Sequence, residues 1–164
     1  PEDEQLLEIM TQGQELLAHH HYQPYEISAY TRKQACTHNL HYWRFGDYLG
    51  LGAGAHSKLS SQHGCIRFWN YKHPKQYLGS ENPRQGTRTL KNHDLRIEFL
   101  MNQLRLYEPL QKNTYERMTQ QSWYAFIEIC QQHDHNNWIQ YNDHQLTLTK
   151  KGRVMVDEIL TWFC

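Results

Sequence analysis

The apolar spacing of residues 94–107 is the feature that most constrains what this chain can fold into. Apolar side chains recur there at i, i+3, i+4, i+7 and i+10, namely at Ile97, Leu100, Met101, Leu104 and Tyr107. This spacing predicts a helix with one apolar face, which must be buried against other elements. Pro109 ends the pattern, because proline is not tolerated in a helix interior.

Three more helices and a hairpin are expected after Pro109. The residues that cap these helices or favour the hairpin turn are Asn113 or Thr114, Ser122, the pair Asn142-Asp143, and Thr149. The positions expected to face inward are Trp123, Phe126, Ile127 and Cys130 in one helix, and Val154, Met155, Ile159 and Leu160 in the last. Residues 138–149 alternate in polarity as two strands would. This order of elements predicts a winged-helix-like, mostly helical domain over residues 93–164.

The N-terminal part predicts a smaller unit of helix and strand. Residues 3–21 carry a helical apolar stripe, residues 25–30 are typical of a strand, and residues 48–55 form a second extended apolar segment. A helix followed by a strand is typical of a parallel α/β sheet.

The middle of the chain predicts a connection. Residues 58–92 are polar and rich in turn formers, and the only strand expected within them lies at 65–71. The chain is therefore expected to belong to the α+β class. An N-terminal unit over residues 1–57 is joined by this connecting loop and strand region to the helical domain.

Charge and composition exclude several classes of function. The chain has 164 residues, and its 17 Lys and Arg balance 17 Asp and Glu to a formal net charge of zero. Such a chain lacks the broad positive surface that binds nucleic acid or an anionic membrane. The helix expected over 122–136 has no Lys or Arg but carries Glu128 and Asp134, so it would repel a phosphate backbone. No apolar run approaches the roughly 20 residues that span a bilayer.

The cysteines and the first residues predict a reduced, cytoplasmic protein. Cys36, Cys65, Cys130 and Cys164 are widely spaced, and no pair has CxxC spacing. Such usage favours free thiols in a reducing compartment. The opening sequence PEDEQLLEIM lacks the basic and apolar regions of a signal peptide.

The segment CTHNLHYW, residues 36–43, is the densest group of chemically useful side chains. Cys36, His38 and His41 are ligands that zinc accepts, but a closed site needs a fourth. Cys36 beside a histidine could also be a nucleophile. An imidazole next to a tyrosine and a tryptophan could hold the iron and wall the ring of a haem. Composition leaves these alternatives open beside a purely structural role.

The order of residues resembles the end of the catalytic barrel in the family of oxygen-independent coproporphyrinogen III oxidases and their haem-chaperone relatives of the HemW type. The matching residues are Tyr25 to Tyr30, Cys36, His38, Asn39, Tyr42, Trp43, Tyr48 to Gly52, and Gly54, Ala55 and His56. The resemblance continues through LRIEFLMNQLRL and LTLTKKGRVMVDEIL and is weakest across 58–92. The sequence HNLHYW has the HNxxYW form of the chaperone branch.

The resemblance implies a fold and a set of cofactors. Residues 1–57 would be the last helix and strand of a partial (β/α) radical S-adenosylmethionine barrel, and residues 93–164 the winged-helix-like C-terminal domain. A CxxxCxxC loop holds a [4Fe–4S] cluster in this family, and the present chain contains no such motif. The cluster and S-adenosylmethionine are therefore expected in a longer parent protein, and this fragment is expected to be inactive alone.

The resemblance also implies a site and partners. His38, Asn39, Tyr42 and Trp43 would hold haem, with His38 as the iron ligand and His41 at a free position. The parent would bind haem and deliver it to an acceptor protein. Decarboxylation of coproporphyrinogen III in porphyrin biosynthesis is the alternative, and a plain interaction module over residues 94–164 is a third. A strand expected to lack its barrel neighbour also predicts self-association of the fragment.

Overall fold

The computed structural model describes residues 2–61 and 64–164, so residues 62 and 63 of the expected connecting region and residue 1 lie outside the described residues. The N-terminal elements are α1 (Asp3–His19), β1 (Gln23–Glu26), β2 (Ala29–Thr31) and α2 (Thr37–Trp43). The predicted first helix is confirmed as far as His19. Helix α1 begins with a capping box. The Glu2 side chain accepts a hydrogen bond from the Gln5 backbone amide, and the Gln5 side chain accepts one from the Glu2 amide.

The segment YEISAY forms a tight hairpin instead of the single strand that was expected. β1 and β2 pair antiparallel, with Pro24 opposite Tyr30 and Glu26 opposite Ala29. The carboxylate of Glu26, which is 2% exposed, accepts hydrogen bonds from the Ser28 amide and hydroxyl and so fixes the turn. The expected parallel arrangement is also wrong, because every strand pair in the described residues is antiparallel.

The connecting region is mainly sheet and not loop, which corrects the sequence prediction. The elements there are β3 (His56–Ser61), β4 (Gly64–Asn70), α3 (Pro74–Gly79) and β5 (Arg84–Leu90), and the three strands form an antiparallel sheet in the order β3–β4–β5. The predicted strand at 65–71 is confirmed as β4, the central strand. The sheet escaped prediction because much of it faces solvent and its strands are therefore polar.

The glycine-rich segment at 48–55 is not a strand. Only Tyr48 pairs, in an isolated bridge to Lys58. Gly52 and Gly54 have φ angles of 104° and 71°, in the left-handed region that glycine adopts at little cost. These two residues bend the chain before it enters β3.

The C-terminal part has the expected succession of three helices, a hairpin and a closing helix. Its elements are α4 (Asn92–Gln103), β6 (Leu110–Gln111), α5 (Lys112–Thr119), α6 (Trp123–His133), β7 (Ile139–Tyr141), β8 (Gln145–Leu148), α7 (Lys150–Val154) and α8 (Val156–Thr161). The strands pair antiparallel in the order β6–β8–β7. Ser122 and Thr149 cap α6 and α7 as predicted, whereas α5 begins earlier than expected, after Gln111.

The core of the protein lies between these C-terminal elements. All four predicted inward residues of α6 are buried, namely Trp123, Phe126, Ile127 and Cys130. The face of α4 is rotated from the predicted stripe, because Leu95 and Phe99 are buried while Met101 is 44% exposed. The closing helix is interrupted at Met155, which turns Val154 to solvent and Val156 inward.

The N-terminal hairpin is joined to the end of α4. The Tyr107 amide donates to the Tyr25 carbonyl at 3.1 Å, and Glu26 forms an isolated bridge with Leu106. Farther along, Phe45 inserts into the core, where its ring meets Phe99 edge to face at 5.7 Å. These contacts place α2 against α4. No helix of the described chain is long and apolar enough to cross a membrane.

Candidate functional site

The segment HNLHYW lies on the short helix α2, where none of the side chains is fully buried. A helical conformation brings residues four apart onto one face. The rings of His38 and Tyr42 meet edge to face at 4.8 Å, and the ring of His41 lies 6.0 Å from that of Tyr42. The two histidines of this segment therefore share a side of the helix, as only a helical conformation allows.

Residues that are distant in the sequence contact two side chains of α2. The Asn39 side-chain amide donates to the Tyr25 hydroxyl at 3.1 Å. The guanidinium of Arg105, at the end of α4, lies 5.3 Å from the centre of the Trp43 ring. Asn39 and Trp43 therefore contact partners outside the helix, while His38 and Tyr42 contact each other.

The C-terminal end of α2 is anchored to the rest of the protein. Arg44 forms a two-point ion pair with Glu108, at 2.8 Å from Nε and 2.6 Å from Nη2. His41 Nε2 lies 2.6 Å from the Asp47 carbonyl oxygen. Gly46 passes so close to His41 that any Cβ there would overlap the imidazole ring and the His41 carbonyl. The chain can turn away from α2 in this way only with glycine at this position.

A buried lysine fixes the turn that follows. Lys58 is 2% exposed, and its ammonium donates to the Phe45 carbonyl at 2.8 Å, to Asp47 Oδ1 at 3.0 Å and to Ser60 Oγ at 3.2 Å. The same ammonium lies 3.8 Å from the centre of the Phe45 ring. These partners satisfy the desolvated charge.

The hydrogen bonds around Asp47 also set its protonation. Burial alone would raise the pKa of Asp47. The hydrogen bonds from the Ser60 amide and hydroxyl and from Lys58 outweigh that effect and hold the pKa below its ordinary value. The carboxylate is therefore ionised at neutral pH and remains paired with Lys58.

A second chain of contacts runs from α2 across the sheet. The rings of Tyr42 and Tyr48 are 4.8 Å apart. The Tyr48 hydroxyl accepts a hydrogen bond from Arg67 Nη1 at 3.0 Å, and Arg67 is ion-paired with Glu98 of α4. The Tyr42 ring therefore contacts Tyr48 as well as His38.

The predicted site residues lie together on one short helix, but they differ in exposure and in their hydrogen-bond partners. His38 is exposed, and its ring nitrogens have no hydrogen-bond partner in residues 2–61 and 64–164. Asn39, Tyr42 and Trp43 are half-buried. The described residues contain no group of three His, Cys, Asp or Glu side chains that could hold a metal ion, so the zinc alternative finds no support there.

Sequence reasoning missed the residues that surround the helix. Tyr25, Lys58, Arg67 and Arg105 all contact α2 or the turn after it. They lie between 11 and 64 residues away from their partners in the chain, counting the ion pair of Arg44 with Glu108. No local spacing in the sequence could have revealed them.

The comparisons with known proteins agree on one family. No family model matches the chain. It is 39% identical over 165 residues to "Heme chaperone HemW" of Haemophilus influenzae, covering 99% of this chain and 43% of that protein. It is 42% identical over 110 residues to "Heme chaperone HemW" of Escherichia coli, covering 66% of this chain and 29% of that protein.

A solved structure shares the fold. The structure described as coproporphyrinogen III oxidase (HemN) from Escherichia coli, a radical SAM enzyme, superposes with a TM-score of 0.72 at 16% identity, over 99% of this chain and 42% of that one. The mixed α/β architecture of this chain therefore resembles that of the matching part of the HemN structure. The chain belongs to the family of HemW-like haem chaperones and oxygen-independent coproporphyrinogen III oxidases, and it corresponds to a HemW-like C-terminal portion. It spans less than half the length of these relatives.

Proposed function

We propose that this chain is the haem-binding C-terminal part of a haem chaperone, which takes up haem and passes it to an acceptor protein. The observation that carries the proposal is the arrangement on α2. An exposed imidazole without a hydrogen-bond partner in the described chain stands beside a tyrosine and a tryptophan. Imidazole nitrogen is a common ligand of haem iron, and aromatic rings pack well against the macrocycle.

The geometry favours His38 over His41 as the iron ligand. His41 Nε2, the ring nitrogen farther from the backbone, already contacts the Asp47 carbonyl. Both nitrogens of His38 lack a partner among the described residues, and the Tyr42 ring fixes one side of the imidazole. His38 is therefore the proposed metal-binding residue, and His41 supports the turn after α2.

Arg105 is the proposed partner of a haem propionate. The side-chain amide of Asn39 already donates to the Tyr25 hydroxyl. Arg105 lies over the Trp43 ring and has no carboxylate partner in the part of the chain that the structure describes. A guanidinium beside an aromatic wall matches a flat ligand with carboxylates at its edge.

The exposure of the site suits a ligand that is released to another protein. His38 is exposed, and the other three proposed contacts are half-buried. A deeply buried haem would be held by a larger apolar contact area. A ligand held on one exposed helix can be reached by an acceptor protein while it is still bound.

The family's other cofactors do not fit these residues. Cys36 and Cys164 are exposed, whereas Cys65 and Cys130 are buried. Burial raises the pKa of the Cys130 thiol to about 12, so it is a poor source of thiolate for a cluster. The [4Fe–4S] cluster and S-adenosylmethionine therefore belong, in this proposal, to the longer parent protein.

The domain boundaries are part of the proposal. Residues 1–57 are interpreted as the end of a partial barrel, residues 58–92 as a connecting sheet, and residues 93–164 as a winged-helix-like domain. The order of helices and strands after residue 91 supports the last of these. Coproporphyrinogen III oxidation in the parent remains the alternative function, and it is supported by the shared fold with the HemN structure.

The first experiment is a haem titration followed by the Soret band, using the full chain and its His38→Ala and His41→Ala variants. The His38→Ala variant should lose or shift the band, and His41→Ala should nearly retain it. Unchanged spectra in both variants would show that α2 only packs the structure. Decarboxylation of coproporphyrinogen III by the full-length parent would favour the alternative function.

The second experiment tests the propionate contact. Arg105→Gln should weaken haem binding by about tenfold, which is the size expected for one charge-assisted hydrogen bond. Its affinity for haem dimethyl ester, measured in dilute detergent, should match that of the parent. Arg32→Gln is the matched control, because Arg32 also lies over an aromatic ring, at 4.4 Å from Tyr22. An equal loss for haem and its ester would refute the role of Arg105 without affecting that of His38.

A further inference from the structure

A groove between α6 and the tip of the β7–β8 hairpin is independent of the proposed haem site. It has a volume of about 240 Å³. Its lining includes Tyr124, Ile127, Glu128, Gln131, Tyr141 and Asp143. None of the α2 residues takes part in it. Helix α6 carries no Lys or Arg, and its exposed face has no role in the proposed haem site.

The groove is built by two rigid elements. Tyr124, Ile127, Glu128 and Gln131 are spaced i, i+3, i+4 and i+7, and this spacing places them on one face of α6. The hairpin turn opposite is fixed by Asn142, whose Oδ1 accepts from the His144 amide at 2.8 Å and the Gln145 amide at 3.0 Å. The groove is therefore preformed.

The chemistry of the groove is aromatic and acidic. Tyr124 and Tyr141 are 62% and 42% exposed, respectively, so both rings offer accessible aromatic surface at the groove. The carboxylates of Glu128 and Asp143 form no ion pair or hydrogen bond within the described residues. Lys112 already places its ammonium 4.2 Å from the centre of the Tyr124 ring, so this ring accepts a cation in the structure.

Size and charge restrict the occupant. Small-molecule and cofactor sites usually measure roughly 300–1,000 Å³, so this groove suits a single long side chain better than a cofactor. Phosphate groups are disfavoured by two unpaired carboxylates. A planar guanidinium can stack on an aromatic ring and bond a carboxylate at two points, whereas an ammonium is a point charge without this fork.

We propose that this groove binds an arginine side chain from a basic segment of a partner protein. The guanidinium would stack on Tyr141 and pair with Glu128 and Asp143. The rest of the segment would lie along the polar edge that Gln131 and Asn142 provide. This interaction does not depend on haem, and it stands or falls separately from the role of α2.

The test uses fluorescence anisotropy with a labelled peptide of alternating arginine and glycine and the full chain. The control peptide replaces arginine with citrulline, which keeps the shape and removes the charge. The variants are Glu128→Gln with Asp143→Asn, and separately Tyr141→Ala. The matched control is Glu158→Gln, which removes an exposed carboxylate from α8. Circular dichroism verifies that all variants are folded.

The parent should bind the arginine peptide at least about tenfold more tightly than the citrulline peptide, as expected for charge-assisted contacts. The double variant should bind the arginine peptide about tenfold more weakly than the parent, and Tyr141→Ala should lose somewhat less affinity. Glu158→Gln should lower the affinity by less than about twofold. The proposal is overturned if Glu158→Gln weakens binding as much as the double variant, or if both peptides bind equally or not at all. Preferential binding of a single-stranded oligonucleotide in the same assay would also overturn it.

Discussion

The first 44 residues and the last 75 residues use apolar side chains in opposite ways. Helix α1 has a helical apolar stripe, yet Leu7, Met10 and Leu16 are 50%, 50% and 61% exposed. Helices α4 and α6 also carry apolar side chains on one face, and these inner faces are buried. Among the described residues, every buried apolar side chain except Phe45 and Cys65 lies between Leu90 and Phe163.

This difference shows that an apolar stripe predicts a helix but not its partner. The C-terminal helices meet one another and the β6–β8–β7 sheet, so their stripes form one core. Helix α1 is followed by a two-stranded hairpin that offers little surface to cover it. Stability should therefore reside in the C-terminal part, while α1 retains an apolar surface that can contact another molecule.

The largest expected effect is on the aromatic core. Phe126 is 1% exposed and stacks on Tyr115 and Phe163 at 4.5 Å and 5.2 Å. Phe126→Ala should lower the free energy of unfolding by about 3–5 kcal/mol. Leu7→Ala on α1 should change it by less than about 0.5 kcal/mol. Urea unfolding followed by circular dichroism measures both, and similar losses in the two variants would contradict the comparison.

The next largest effect is expected at the junction between the two regions. Lys58→Met should lower the free energy of unfolding by about 2 kcal/mol, because it removes the ammonium that donates to the Phe45 carbonyl and pairs with the Asp47 carboxylate. The exposed Lys75→Met is the control and should be nearly neutral. If urea unfolding shows the two variants to be equally stable, the buried ammonium contributes nothing to the junction.

A smaller, pH-dependent effect is expected at Asp47. Its pKa in the folded protein is lowered from the ordinary value of 3.8, so its contribution is present above that value and is lost as the pH falls through the lower folded pKa. Asp47→Asn should therefore be less stable than the parent at pH 7, and the gap should narrow from roughly pH 5 downward. If the difference in stability between the parent and Asp47→Asn stays constant as the pH falls from 7 to below 3.8, the charge of Asp47 does not contribute to stability.

The smallest expected effect is a weak self-association through α1. The sedimentation-derived mass of the parent should rise above 19.8 kDa with concentration, because the exposed stripe can bury itself against a second copy. Replacing both Leu7 and Met10 with Gln should abolish this rise. Leu78→Gln is the control, since Leu78 is 80% exposed but lies on α3. Equal association of the parent and the double variant would show that the protein does not associate through α1.

The sequence predicted the elements whose signals are local. The inward face of α6, the caps Ser122 and Thr149, and the Asn142 turn all depend on residues within one or two helical turns of each other. The β3–β4–β5 sheet was missed because its pairings, such as Arg67 with Arg88, join distant polar residues. Exposed strands have no apolar alternation to detect.

The candidate site was predictable in composition but not in shape. The resemblance selected His38, Asn39, Tyr42 and Trp43, and their roles remain predictions. The helical conformation could not be read from HNLHYW, because histidine, asparagine, tyrosine and tryptophan are all mediocre helix formers. Contacts with Tyr25, Arg105 and Glu108 hold the helix in place, and tertiary contacts of this kind override local propensity.

These same contacts determine when α2 can be completed during synthesis. Tyr25 is bonded by Tyr107, Trp43 is covered by Arg105, and Arg44 is paired with Glu108. A nascent chain that ends before residue 105 carries HNLHYW but none of these three partners. Because folding on the ribosome follows the order of translation, whatever α2 binds can be captured only after α4 has emerged. A half-made chain would therefore present HNLHYW without the contacts that hold this segment in place as a helix.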